Sequence, residues 1–154
     1  MARALGLDVG TQTIGLALSD ESGMLASPLL TVARRGVRAD VARVAQLADE
    51  RSVALFVVGM PYELDGSEGR SARLARQIGD ALAEATGRPV RYVDERFTSV
   101  EAERRLVAAG VSRARRRDTI DQAAAALILQ SWLDHGEAVS EGGHGRIPTG
   151  TEGG

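Results

Sequence analysis

Carboxylates stand at three places in this 154-residue chain where a strand or helix begins or ends: Asp8 in LGLDVGT, Asp94 and Glu95 in YVDERF, and Asp118 with Asp121 in DTIDQAAAALILQSW. Asp8 is the hardest to explain by packing. It lies between Leu7 and Val9 in a short apolar run, and a carboxylate among apolar neighbours needs a partner. Asp, Glu and Asp gathered at one mouth would repel each other. Hard divalent cations relieve such repulsion, because Mg²⁺ and Mn²⁺ prefer oxygen ligands from a few carboxylates together with water and phosphate. Two such ions held close together activate water and stabilise the leaving oxygen in phosphodiester cleavage. The chemistry these residue types offer is metal-assisted hydrolysis of a phosphate ester.

Each carboxylate also has a structural reading. Asp118 suits the N-cap of the last helix, with Asp121 three residues on beside the positive end of its dipole. Asp94 has Arg91 and Arg96 within reach along the chain, and Glu95 suits a solvated strand end. Spacing alone leaves both readings open. Other chemistries are disfavoured. His135 and His144 fall at a helix end and in the C-terminal stretch, which speaks against a His-led triad, and no GxxxxGK[ST] loop is present for P-loop nucleotide hydrolysis.

The chain has no cysteine, which removes disulfides and thiolate metal sites. Net charge is −2, yet all 19 basic residues are arginine, with clusters at Arg34, Arg35 and Arg38, at Arg70, Arg73 and Arg76, and at Arg113, Arg115, Arg116 and Arg117. Arginine grips phosphate bidentately where lysine offers a point charge; solvated faces are the plainer reading of the same clusters. Aromatics are 3% of residues, too few for a base-stacking platform, so nucleic-acid contact should be to backbone and shape. MARALGLDVG enters a strand pattern at once, and no apolar run approaches the roughly 18 residues of a membrane span. A cytoplasmic protein with no membrane partner is expected.

The elements that must position the carboxylates follow from periodicity. Three strands come first, over Ala4–Val9, Thr13–Ser19 and Met24–Ala33; their links are too short for crossovers, so they should be antiparallel. Val37–Arg51 has helical spacing, and Ala54–Gly59 reads as a central strand covered on both faces, with Gly59 letting the chain turn away. A helix over Arg70–Thr86 should stop at Gly87. Val90–Asp94 is a further strand, Thr98 with Glu101 a capping box opening a helix to about Ala109, and Asp118–His135 a final helix. Right-handed crossovers then lay the later strands parallel to the first. The expectation is one α/β domain over residues 1–136: a mixed five-stranded sheet, three strands antiparallel and then two parallel, with helices on both faces. Residues 137–154, rich in glycine and without periodicity, are expected to be a disordered tail. This is the layout of the ribonuclease H-like fold, although several α/β folds share such an order. The C-terminal ends of its parallel strands, where open α/β sheets bind ligands, would carry Asp8 and the Asp94–Glu95 pair, and the small residues of QAAAA would let the last helix bring Asp121 alongside.

Four ordered motifs, LGLDVGTQTIGLALSD, FVVGMPYELDGSEG, VDERFTSVEA and DTIDQAAAALILQSWL, resemble the YqgF/RuvX family, bacterial Holliday-junction-resolvase-like proteins of the ribonuclease H-like superfamily regarded as nucleases for the 5′ end of pre-16S ribosomal RNA. The resemblance spans about residues 3–136. It implies a three-layer fold, a catalytic and metal-binding triad of Asp8, Glu95 and Asp121, Mg²⁺ or Mn²⁺ as cofactor, and pre-rRNA or branched DNA as partner, in a monomer or homodimer. Phe97 stands where leucine is common after the DER motif. Arg73 and Arg96 are expected to steer the scissile phosphate, and Arg113, Arg115, Arg116 and Arg117 to clamp the flanking backbone. Two rival readings accompany it. D-x-G-T-x-x-x-G also resembles the phosphate-binding turn of the actin, Hsp70 and sugar-kinase group, which needs two such domains. Similar domains also exist as catalytically silent modules in transcription factors, but the intact triad favours an enzyme.

Overall fold

Two links too short for a crossover decide the first half of the sheet. Residues 10–12 join β1 (Arg3–Val9) to β2 (Thr13–Ser19), and residues 20–25 join β2 to β3 (Ala26–Ala33). Both pairs are antiparallel, with Leu7 opposite Leu16 and Asp8 opposite Gly15. The computed structural model describes residues 3–98, 100–110 and 117–135, and gives the backbone alone for 97 and 117–119. β3 begins two residues later than periodicity predicts. The Asp20 carboxylate accepts the Met24 and Leu25 N–H groups at 2.8 and 3.2 Å, which holds these residues in the turn.

Helix α1 (Val37–Glu50) returns the chain to β4 (Val53–Met60), parallel to β1, and helix α2 (Arg70–Thr86) leads to β5 (Val90–Asp94), parallel to β4. The strand order is β3-β2-β1-β4-β5, the expected mixed sheet. Gly87 ends α2 as predicted, at a left-handed φ of 69° with its N–H on the Ala83 carbonyl. A 3₁₀ turn, Glu95–Phe97, precedes α3 (Val100–Ala108), and α4 (Arg117–His135) closes the described chain. Thr98 does not open α3 as the capping-box pattern suggests. It closes the 3₁₀ turn, its N–H and hydroxyl both donating back to the Glu95 carbonyl. Among the described residues no helix is long and apolar enough to cross a membrane. The stretch expected to be a tail, residues 137–154, lies outside the described residues.

Strand alternation sorts the core into two unequal layers. Leu5, Leu7, Val9, Ile14, Leu16, Phe56, Val58 and Met60 point to α1 and α2, where they meet Val44, Leu47, Ile78 and Leu82. Fully burying each large side chain contributes about 1.5–3 kcal/mol. The opposite face is built from small residues. Ala4, Ala17 and Val57 meet Ala125, Ala126 and Leu129 of α4, with Leu106 of α3 at the margin. Gly6 lies in this layer. A β-carbon there would stand 2.8 Å from Leu129 Cβ and 3.0 Å from the Ala125 carbonyl oxygen, so α4 lies almost on the backbone of β1. Asp8, two residues beyond Gly6, faces the same way.

Candidate active site

The small-residue face of β1 and β2 lets three distant segments meet. Asp8 stands at the C-terminal end of β1 with Gly15 as its antiparallel partner. A β-carbon on Gly15 would lie 2.2 Å from the Asp121 carbonyl oxygen, so the first turns of α4 rest directly on the backbone opposite Asp8. Thr13 is two residues from Gly15 on the same face, and its hydroxyl donates to the Asp121 carboxylate. Farther along, the buried Gln130 amide accepts from Ala26 N–H at 2.9 Å and donates to the Met24 carbonyl at 3.0 Å, while Gln122 reaches the Thr31 hydroxyl at 3.2 Å. These bonds fix how far α4 is slid along the sheet, and therefore where Asp121 falls.

Glu95 arrives from the other side. Met60 pairs with Asp94, so β4 and β5 end together, and the 3₁₀ turn then lifts Glu95 over Gly59. A β-carbon on Gly59 would be 2.7 Å from Glu95 Oε2 and 2.4 Å from Ile128 Cδ1. The expectation that Gly59 ends its strand in a sharp turn is therefore corrected. β4 continues through Met60, and Gly59 is a gap into which Glu95 and Ile128 fit. Leu7 pairs with Val58, so Gly59 follows on β4 where Asp8 follows on β1. Asp8 thus stands between Glu95 on the β4 side and Asp121 on the β2 side.

Asp94 takes its structural reading. It is 1% exposed, receives the Arg96 guanidinium at 2.6 and 3.0 Å, and caps the turn through the Arg96 N–H at 2.9 Å. Burial pushes its carboxyl up, but the Arg96 side-chain and backbone bonds outweigh burial and hold it below the ordinary carboxylate value. Asp8 and Glu95 are different. Burial, then the negative charge of Asp121, pushes Asp8 up to about 6; burial, then Asp8 and Asp94, pushes Glu95 up to about 7. Among the described residues neither carboxylate has a hydrogen bond or a cation to balance it.

That imbalance tests the fit of a divalent cation. The donors are all carboxylate oxygens, the type that suits Mg²⁺ or Mn²⁺. Among the described residues no three acidic or imidazole groups converge into a ready-made cage. The fit is one of donor chemistry and uncompensated charge, with Asp8 as the group shared between its two neighbours.

The expected phosphate-contacting arginines separate. The Arg96 guanidinium is held by Asp94, approaches the Leu64 carbonyl at 3.3 Å and lies over the Tyr62 ring. Arg73 is exposed on α2 and donates to the Glu68 carbonyl at 2.9 Å. Arg117 opens α4 without a described side chain, and Arg113, Arg115 and Arg116 lie outside the described residues. Periodicity misses Thr13 and Gly15. The signal for them is period two: counted back from the turn, Thr13, Gly15 and Ala17 share the face of Asp8, and all are small.

Comparison with known proteins agrees with this architecture. The model of the RuvX family, described as Holliday junction resolvase, matches residues 2–135. A protein of Myxococcus xanthus provisionally named pre-16S rRNA nuclease is 49% identical over 132 residues, covering 86% of this chain and 87% of the relative. One of the same name from Trichormus variabilis is 47% identical over 131 residues, covering 85% and 87%. Among solved structures, Thermus thermophilus RuvC in complex with a Holliday junction substrate superposes with a TM-score of 0.60 at 17% identity, covering 92% of this chain and 99% of that one. Fowlpox virus resolvase with Holliday junction DNA gives a TM-score of 0.53 at 9% identity, covering 86% and 97%. These two likenesses show a shared fold. With the profile matched over nearly the whole described length, the chain belongs to the RuvX family of resolvase-like nucleases.

Proposed function

We propose that the protein is a divalent-cation-dependent phosphodiesterase that processes the 5′ end of pre-16S ribosomal RNA, with Asp8, Glu95 and Asp121 as its catalytic carboxylates. The observation that carries this reading is Asp8 set between Glu95 and Asp121, with Asp8 and Glu95 raised toward neutrality and no counter-charge for either among the described residues. The names of the relatives supply the substrate.

Asp8, Glu95 and Asp121 would hold Mg²⁺ or Mn²⁺, in the two-ion arrangement where both sites fill; bound, the cation polarises phosphate and lowers the pKa of water. The chain does the rest. Thr13 orients the Asp121 carboxylate by hydrogen bond, and Asp94 with Arg96 fixes the turn that presents Glu95. Because Arg96 is engaged there, we assign it to positioning rather than to the phosphate. Arg113, Arg115, Arg116 and Arg117 stand a few residues before Asp121 in the sequence, and they would grip the backbone flanking the cut. Water would be the nucleophile, attacking phosphorus in line as the P–O bond to the departing strand breaks.

The test is cleavage of a precursor rRNA fragment, a generic single strand and a four-way DNA junction, each with Mn²⁺ or EDTA, by the wild type and Asp8→Asn. Cleavage by the wild type alone, strongest on the precursor, is expected. Equal activity of the two proteins would sink the carboxylate mechanism. Preference for the junction would favour the second reading, branched-DNA resolution, which the family description motivates.

A further inference from the structure

The sheet edge that carries the acidic cluster has a second feature on its other side. Between the β1–β2 turn, the link from β3 to α1, and α2 lies an open groove of about 730 Å³ lined by Thr11, Arg34, Gly36, Arg70, Arg73, Gln77 and the half-buried Leu74. Among the described residues no carboxylate lines it. Arg34 is committed, its Nε 2.5 Å from the nearly buried Asp40 and its Nη1 2.8 Å from the Gly10 carbonyl, which ties the groove wall to the turn following Asp8. Arg70 and Arg73 are exposed, one turn apart on α2, and neither has a carboxylate partner among the described residues. Their neighbour Arg76 shows the contrast, since it sits 2.6 Å from Glu68. Arg73 donates to the Glu68 carbonyl at 2.9 Å, which leaves its charge, like that of Arg70, without a carboxylate among the described residues. Gln77 continues the same face of α2 by one more turn. The groove belongs to the α1–α2 layer, opposite the α4 layer that carries Asp121.

The distance from Asp8 to the near end of the groove is bounded by the chain. Thr11 is three residues from Asp8, so their Cα atoms are at most about 11 Å apart, about three nucleotides of rise along one strand. We propose that this groove holds the phosphodiester backbone of the substrate strand a few nucleotides from the bond being cut, with Arg70 and Arg73 on its phosphates, so that the strand crosses the sheet edge over Gly10 and Thr11 from the α4 layer to the α2 layer. Guanidinium forks suit phosphate oxygens, while Gln77 and the Thr11 hydroxyl can meet phosphate or sugar oxygens in any sequence. The inference rests on the nuclease reading for the identity of the strand, but it concerns binding and not cleavage.

The experiment reads binding of a labelled single-stranded RNA by full-length protein in EDTA over a salt series. Arg70→Gln/Arg73→Gln should weaken binding by roughly tenfold per arginine and flatten the slope of log K against log salt by about 1.4. Arg73→Lys should recover part of the affinity and the whole slope, since it keeps the charge. Arg43→Gln, a loss of one charge on exposed α1, should leave binding as it is. Unchanged affinity and slope in the double variant would overturn the proposal, as would a loss in Arg43→Gln equal to the loss per arginine in the groove, which would mean a net-charge effect. Because binding is read without metal, absence of cleavage in the nuclease assay leaves this test intact. Absence of a groove effect likewise leaves the acidic cluster standing.

Discussion

Gly15 and Asp121, 106 positions apart in the chain, approach so closely that a β-carbon on the glycine would stand 2.2 Å from the Asp121 carbonyl oxygen and 2.8 Å from Asp121 Cβ. Backbone meets backbone there, and neither side can yield as a flexible side chain would. Gly15→Ala must therefore lift the start of α4 from the sheet. Overpacking of this kind costs about 1–3 kcal/mol, read as a lower midpoint in urea. The larger effect should be on chemistry, because Asp121 moves while Asp8 stays: Mn²⁺ affinity is expected to fall more than stability.

Thr13 offers a subtler probe of the same carboxylate. Thr13→Val keeps the volume and removes the hydroxyl that donates to Asp121. Groups that orient metal ligands typically change affinity or activity by about 10–100-fold, and a loss within that range is expected in a Mn²⁺ titration of cleavage. Thr13→Ser should restore most of it. Equal behaviour of the valine and serine variants would show that the hydroxyl plays no part.

The acidic cluster should burden the cation-free protein. Asp8 and Glu95 rise from ordinary values of 3.8 and 4.5 to about 6 and about 7, so the folded chain holds protons that the unfolded chain has released. Unfolding then releases protons, and this contribution to stability falls as pH climbs from about 4 to 7. Asp8→Asn should accordingly melt higher than wild type in EDTA at pH 8, by on the order of 1–2 kcal/mol after allowing for partial exposure. The gap should close near pH 4. Mn²⁺ should raise the wild-type melting temperature and leave that of Asp8→Asn nearly unmoved.

Asp94 gives the opposite sign. Its carboxyl is held below the ordinary value by Arg96, so the pair's stabilisation is present at neutral pH and lost as pH falls through the acid range. Arg96→Gln leaves a carboxylate that is 1% exposed without its cation. A loss of about 2–4 kcal/mol is expected, toward the lower end because the guanidinium is itself partly exposed. Asp94→Asn/Arg96→Gln should lose less than Arg96→Gln alone in a denaturant series at pH 7. Cleavage should fall with both, since the turn that carries Glu95 loses its brace.

Much of this architecture is written locally and can be read without coordinates. Links of three and six residues permit only antiparallel pairing of the first three strands, and Gly87 stops α2 because a left-handed cap favours glycine. Period two places Asp8 opposite the face of Leu5, Leu7 and Val9. The identity of the acidic triad comes from motif resemblance, because spacing by itself favours a helix-start role for Asp121 over a metal ligand. Only the tertiary structure decides how close α4 lies to the sheet, and hence that Gly6, Gly15 and Gly59 are gaps for Leu129, Asp121 and Glu95, with Gly59 no turn. It also decides that Arg96 is taken by Asp94 while Arg70 and Arg73 share a groove without an acid. The physical reason is range. Periodicity, caps and loop lengths act over a few residues, whereas the site is made by contacts across tens to more than a hundred positions, and these exist only once the sheet has closed beneath the helix.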